Sequence, residues 1–303
     1  MPELPDVEGY CAAIRHWFGS RKLTAARLNR PFLLRTVEPR LEGFVGRKLV
    51  GCERLGKRTV LVFEPEAFMV VHLMVAGRWR RLEGGKRLAP KLSMLDLEFG
   101  EAVLSLTEAG SKRRASMHLV ADRGSLAAHD PGGVDPILNP AGLRNTMAAQ
   151  NRTLKRALTD PSSVSGIGNA YSDEVLHAAR ISPLRLTGSL TDEEWSRLSA
   201  AAQEVLTSAR DRLVRSFVEK FPGAGEVTAF RPEFAAHGKY GEPCPDCGTP
   251  IARIRYAENE TNYCPRCQNE GRILADRALS RLLKSDWPRT IEEAERFTRR
   301  GNG

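Results

Sequence analysis

Three groups of residues in this 303-residue chain have types and spacings that could do chemistry. The first is Met1-Pro2-Glu3. Loss of Met1, which a small second residue favours, leaves the secondary amine of Pro2 as the free terminus. An α-amino group titrates at roughly pH 7.7–8.0, so part of it is unprotonated and nucleophilic at neutral pH without the large shift a Lys needs. Glu3 stands beside it as a candidate acid. The plainer reading is that Pro2 and Pro5 stiffen the lead into a helix, and these residues alone leave both open. The second group is Cys244-Pro245-Asp246-Cys247 and Cys264-Pro265-Arg266-Cys267, two C-x-x-C pairs separated by sixteen residues. That spacing predicts a four-thiolate zinc site on the two arms of a hairpin. Four thiolates close the tetrahedron, so one structural Zn2+ per chain is expected to fold a small ribbon and perform no reaction. Arg253, Arg255, Arg266 and Arg272 around it favour nucleic acid over a protein partner. The third is Ser165-Gly166-Ile167-Gly168-Asn169, whose glycines permit close backbone approach and leave free amides at a helix start, an arrangement suited to phosphate. A plain helix-helix turn is the alternative there.

These residues need elements to hold them. From Asp6 to Ser20, the apolar residues Val7, Tyr10, Cys11, Ile14, Trp17 and Phe18 recur at helical spacing, so the amine sits on a short lead into a docked helix. Short alternating runs follow, at Arg58 to Glu64, Phe68 to Leu82, Lys91 to Phe99, Ala102 to Glu108 and Ala115 to Ala121. Turn residues separate them, and the pattern predicts an antiparallel β-sandwich or barrel. The Pro-, Gly- and Asp-rich stretch from His129 to Pro140 reads as a linker. Beyond it, Leu143 to Leu158 and Ser172 to Ala179 have helical periodicity, and Thr191 with Glu194 forms a capping box before a long helix reaching Phe217. After the second cysteine pair, Leu274 to Lys284 reads as helical, and Thr290 with Glu293 offers another capping box.

Composition sets the class. A 41% hydrophobic and 27% charged chain of this length is an ordinary globular protein of more than one domain. The net charge of +9, from 46 basic and 37 acidic residues, suits a polyanionic partner. No apolar run approaches the roughly 18 residues that span a bilayer, and the N-terminus lacks a signal-peptide pattern. No membrane association is expected. A cytoplasmic protein is the expectation, and its cysteine clustering is metal-like rather than disulfide-like.

In chain order, PELPDVE, GKRTVLVFE, HLMVAGRW, GIGNAYSDEVL and CPDCGTPI with NYCPRCQ form a series that resembles the formamidopyrimidine-DNA glycosylase and endonuclease VIII family over about residues 1 to 268. The resemblance implies an α+β multidomain fold. An N-terminal β-sandwich with flanking helices (1–130) is followed by a helical helix-two-turn-helix domain (131–238), a four-cysteine zinc ribbon (239–270) and an added C-terminal extension (271–303). DNA would lie in the cleft between the catalytic and helical parts. It implies a bifunctional enzyme, a DNA glycosylase and abasic-site lyase, acting as a monomer on double-stranded DNA that contains damaged bases or abasic sites. By the same resemblance Pro2 is the nucleophile, Glu3 the catalytic acid and Lys57 an active-site lysine, where a solvated turn lysine is the alternative. His72 and Asn169 fall on phosphate-gripping positions, and Arg113 or Arg114 on the arginine that fills the space of a flipped base. Four neutralised phosphates would give a log-log salt slope of about −3.6.

Departures from the family pattern bear on substrate. Asp6 stands where Glu is common. An Arg of the zinc hairpin that usually clamps phosphate falls on Asn259, with Arg255 or Arg253 as substitutes. The space-filling Met and Phe fall on Val75, with Met74 one residue early, and on Ala115. The resemblance therefore leaves open an endonuclease VIII-like preference for oxidised pyrimidines or other lesions. A catalytically silent damaged-DNA-binding protein is the reading from another class.

Overall fold

The structure, a computed structural model, describes residues 1–110, 112–223, 225–228, 230–256, 259–275 and 288–293. It divides into two compact units, Met1–Gly133 with Thr207–Thr228, and Val134–Leu206 with Ala229–Gly303. Among the described residues no helix is long and apolar enough to cross a membrane.

Unit 1 opens with α1 (Leu4–Phe18), whose buried face carries Val7, Tyr10, Cys11, Ile14 and Phe18. Among the described residues eight strands follow: β1 (Ala25–Leu28), β2 (Lys48–Leu55), β3 (Arg58–Glu64), β4 (Ala67–His72), β5 (Gly77–Leu82), β6 (Leu95–Phe99), β7 (Ala102–Glu108) and β8 (Ser116–Val120). They form two antiparallel four-stranded sheets in the orders β2-β3-β4-β8 and β1-β6-β7-β5. Alternation along the strands sends Leu61, Met69, Val71, Leu97, Leu104 and Leu106 into one core. The opposite face of β4 is also apolar, because Phe68 and Val70 pack with Leu126 of α2 (Arg123–Leu126). A buried hydrogen bond from Trp79 Nε1 to Thr59 Oγ1 at 3.0 Å ties the sheets together.

The alternating run from Phe68 to Leu82 is two strands in two sheets, broken by the turn Leu73–Ala76. Gly77 N–H donates to Leu73 O at 2.9 Å, and a Cβ on Gly77 would stand 2.2 Å from that oxygen, so only glycine closes this turn. Pairing register brings several turns to one end of the sandwich. Arg58 pairs with His72, His72 with Ser116, and Gly77 with Glu108. The Gly56-Lys57 hairpin turn, the 73–76 turn and the 109–115 loop therefore open at that same end.

Unit 2 holds α3 (Gly142–Ala148), α4 (Leu154–Thr159) and α5 (Asn169–Ala179). The helical run read from Leu143 to Leu158 is thus two helices separated by residues 149–153. Next comes α6 (Asp192–Glu219), started by the Thr191–Glu194 capping box: Thr191 N–H donates to Glu194 Oε2 at 2.9 Å and Glu194 N–H to Thr191 Oγ1 at 3.3 Å. From Thr207 onward α6 belongs to unit 1, where Phe217 packs against Tyr10 with ring centroids 5.5 Å apart and Phe221 meets Phe18 edge-on at 6.2 Å. The hairpin β9 (Ala252–Tyr256) and β10 (Asn259–Tyr263) and the short α7 (Pro265–Asn269) complete unit 2. Residues 276–287 and 294–303, on which most of the expected C-terminal helices fall, lie outside the described residues. Within the described part, Ile273 N–H donates to Arg289 O and Ile291 N–H to Gly271 O, so the tail returns to pair beside the ribbon. Thr290 Oγ1 accepts from Glu293 N–H at 3.3 Å, while the Glu293 carboxylate reaches Arg289 N–H.

Candidate active site

Glu3 is the N-cap of α1, with Pro5 in the first turn, where its missing amide costs no hydrogen bond. Its side chain accepts from Asp6 N–H, and Asp6 Oδ2 accepts from Glu3 N–H at 2.9 Å, a reciprocal capping box. The shortened Asp6 side chain has the reach for this bond, and both carboxylates are buried, at 3% and 4% exposure. The chain's α-amine belongs to Met1 here and reports the surroundings that the Pro2 amine would inherit. Burial lowers its pKa, opposed by Glu3 and aided by Arg78; Asp6 opposes and Lys57 aids more weakly.

Lys57 sits in the two-residue turn between β2 and β3, after Gly56 at φ +61°, a left-handed conformation that favours glycine at the first turn position. Arg54 Nη1 donates to Gly56 O at 3.1 Å and its Nε to Glu8 of α1 at 2.8 Å, so α1 and the lysine turn are held by one guanidinium. Burial lowers the Lys57 pKa, and Glu3 partly restores it.

His72 ends β4. Its Nδ1 accepts from Met74 N–H at 3.0 Å, which leaves the hydrogen on Nε2 and makes the outer nitrogen a donor. Burial first, then Arg58 and Lys57, push its pKa down to about 4, so the ring is neutral near pH 7. Met74 makes that contact with φ +52°. Val75 beside it is 59% exposed. The sequence reading passed over Arg78, whose Nη1 donates to Val75 O and Gly77 O and whose Nε donates to Val227 O at 2.8 Å. Its only sequence signal is its place directly after the glycine of the 73–76 turn.

Arg113 and Arg114 lie on the loop at the same sandwich end, half-buried and exposed respectively. Glu108 holds this loop by accepting from Arg114 N–H and Ala115 N–H, and Ala115 is fully buried. Unit 1 thus contains Pro2, Glu3, Lys57, His72, Arg113 and Arg114. Asn169, Arg255 and the four cysteines belong to unit 2.

In unit 2, Asn169 is the first residue of α5, after Gly168 at its N-cap, and its Nδ2 donates to Glu260 O at 2.9 Å. A buried charged group supports it, which the sequence did not reveal because its members are far apart in the chain. Lys155 Nζ donates to Asn169 O at 2.6 Å and to Asp173 Oδ1 at 2.5 Å, and His237 Nδ1–H donates to Asp173 Oδ2 at 2.7 Å. Glu174 accepts three backbone N–H bonds from Ala235, Ala236 and His237, while burial raises its pKa against those bonds. Arg253 pairs with Glu260 at 3.7 Å and lies over the Tyr240 ring, whereas Arg255 is exposed.

The sulfurs of Cys244, Cys247, Cys264 and Cys267 all lie within 4.8 Å of one another, with Cys244 to Cys267 at 4.0 Å and Cys247 to Cys264 at 3.4 Å. Thiolates about 2.3 Å from a tetrahedral zinc stand about 3.8 Å apart, so the set fits that ion. His177 Nε2 lies 3.2 Å from Cys244 Sγ, positioned to support the sulfur.

Sequence comparison agrees with this architecture. The profile of the formamidopyrimidine-DNA glycosylase N-terminal domain matches residues 1–117, that of the formamidopyrimidine-DNA glycosylase H2TH domain residues 130–215, and that of the zinc finger found in FPG and IleRS residues 241–269. The formamidopyrimidine-DNA glycosylase of Moorella thermoacetica is 32% identical over 265 residues, covering 84% of this chain and 95% of the relative. That of Aromatoleum aromaticum is 32% identical over 274 residues, covering 88% and 99%. Among solved structures, the Lactococcus lactis enzyme in complex with abasic-site DNA superposes with a TM-score of 0.77 at 23% identity, over 88% of this chain and 99% of that one. Its complex with a FAPY-dG containing DNA gives 0.77 at 23%, over 88% and 100%, and at this identity both likenesses speak for the fold.

Proposed function

The chain belongs to the formamidopyrimidine-DNA glycosylase family, and from that premise we propose that it excises damaged bases from double-stranded DNA and cleaves the resulting abasic strand. The observation that carries this reading is the terminal amine beside buried Glu3 and half-buried Lys57, in surroundings that favour its unprotonated form. With Met1 removed, the Pro2 nitrogen uses its lone pair to form a bond to C1' of the damaged nucleotide. The glycosidic bond breaks and its electrons leave with the base, which takes up a proton. Glu3 donates a proton to the ring oxygen, and the sugar opens to an iminium at C1'. A tertiary iminium has no N–H to lose, so it remains an electron sink. It acidifies C2', whose proton departs as the 3' phosphate leaves, and a second elimination releases the 5' phosphate. Neutral His72, through its Nε2–H, and Asn169, at the α5 N-terminus, serve as phosphate donors that fix register. A zinc held by Cys244, Cys247, Cys264 and Cys267 would stabilise the β9–β10 ribbon that presents Arg255.

Borohydride reduction on an abasic duplex tests the assignment. Protein lacking Met1 is expected to be trapped covalently, and Pro2→Gly to lose the wild-type trapping rate. Absence of trapping by the correctly processed protein would falsify the lyase reading and leave a silent DNA-binding protein. A second reading concerns substrate alone: with Ala115 buried and Val75 exposed at the loop tips, the filling of the vacated stack differs from the family pattern, which favours oxidised pyrimidines or other lesions. Base release from duplexes each carrying one defined lesion, opposite each normal base in turn, separates these preferences.

A further inference from the structure

The 3-10 turn Pro31–Leu33 is fixed from both sides. Asn29 N–H and Arg30 N–H donate to Met94 O, Arg35 N–H donates to Met117 O, and Leu33 is fully buried. Phe32, at the middle of this rigid turn, is instead 38% exposed. Among the described residues no aromatic ring or cation stacks on it. Its ring lines an open cavity of about 560 Å³ with Arg30, Pro31, Gly110 and Arg113. Arg30 Nη2 and Arg113 Nη2 both donate to Lys91 O, at 3.4 and 3.2 Å, which draws the two guanidiniums to one point. Among the described residues the lining therefore contains two cations, one partly exposed aromatic ring and no acid. It lies at the 109–115 loop, one strand-end from His72, because Ser116 pairs with His72. Ala115, buried to its methyl group, gives that loop no aromatic of its own.

A fixed, half-exposed ring that shares a cavity with two guanidiniums has the properties of a stacking platform for an unpaired base: a flat apolar face for the ring and positive charge for the flanking phosphates. We propose that Phe32, flanked by Arg30 and Arg113, is the seat on which the orphan base opposite the lesion stacks once the damaged nucleotide leaves the helix. This assignment rests on the base-excision reading above. It makes Phe32 a positioning residue that sets preference for the base opposite the lesion, and it supplies from the β1–β2 connection the aromatic face that position 115 lacks.

The test uses the full chain and a duplex with 2-aminopurine opposite an abasic-site analogue. Wild-type binding is expected to quench the 2-aminopurine, Phe32→Trp to preserve the quench, and Phe32→Ala and Phe32→Leu to abolish it while weakening binding about 5- to 150-fold. Moving the probe two nucleotides away is expected to remove the difference between variants. Equal quenching by wild type and Phe32→Ala at the opposite position overturns the seat. Borohydride trapping on abasic duplex, read in parallel, separates the two levels. Trapping retained with an unchanged quench in Phe32→Ala sinks the seat alone, whereas failure of wild type to bind or trap the abasic duplex removes the base-excision reading and the seat with it. Phe32→Leu guards against a folding artefact, since it keeps apolar bulk and lacks only the flat ring.

Discussion

Asp6 acts on the proposed reacting end of the chain through the backbone of Glu3. Its carboxylate closes the capping box that fixes Glu3 as the first residue before α1, so the family's longer side chain is replaced by one that still completes the cap. Asp6→Ala is expected to cost about 1 kcal/mol in urea unfolding and to slow borohydride trapping, because Glu3 loses its fixed position. His72 yields a pH signature. Its folded pKa lies near 4 against an ordinary value of roughly 6.5, so the unfolded chain binds more protons between those values. The stability conferred by the neutral ring is fully present above about pH 6.5 and is lost as pH falls through that window toward 4. Between pH 7 and pH 5 the wild type is expected to lose roughly 1–2 kcal/mol more than His72→Gln, measured by denaturant titration at each pH. Residue identity at these positions was legible in the sequence, since PELPDVE and HLMVAG drew attention to them. Their protonation was not, because it follows from burial and from hydrogen bonds such as Met74 N–H to Nδ1.

At the level of elements, the zinc ribbon is where a metal would govern folding. Four sulfurs gathered in a hairpin with few buried apolar residues of its own, Ile251, Ile254 and Tyr263 beside the cysteines, leave little else to hold it. Metal chelation is expected to unfold the β9–β10 ribbon and weaken DNA binding, while the near-ultraviolet signal of buried Trp79 in unit 1 persists; retention of ribbon structure in metal-free protein would count against a structural zinc. Strands β3 and β7 stand at the bounds that their alternation predicted, because one face of each meets a single core. The Phe68–Leu82 run concealed a turn because Leu73, Met74, Val75 and Ala76 are as apolar as the strands around them. Its closure depends on the close approach of Gly77 to Leu73 O, a contact that periodicity does not encode. The Lys155–Asp173–His237 group escaped notice for a related reason: three ordinary polar residues acquire meaning only when folding buries them together.

For the whole molecule, the net charge of +9 sets attraction to DNA, but only cations at the contact release counterions. Lys57, Arg113, Arg114, Arg255 and, at the proposed seat, Arg30 are the cations proposed to face DNA, so the log-log salt slope of binding is expected to be no steeper than about −4.5. Neutral His72 and Asn169, in the phosphate-binding roles proposed for them, would add hydrogen bonds without adding slope. His72→Gln is therefore expected to weaken binding equally at every salt concentration near pH 7, as read from fluorescence anisotropy titrations; a shallower slope in that variant would mean the imidazole is charged on DNA. The return of Thr207–Thr228 to unit 1 has a consequence for synthesis. The N-terminal helix emerges from the ribosome first, yet Tyr10 and Phe18 must wait about two hundred residues for Phe217 and Phe221 to cover them. The segment that carries the proposed nucleophile is thus made well before it is enclosed, and the interval keeps its amino end open to the enzyme that would remove Met1.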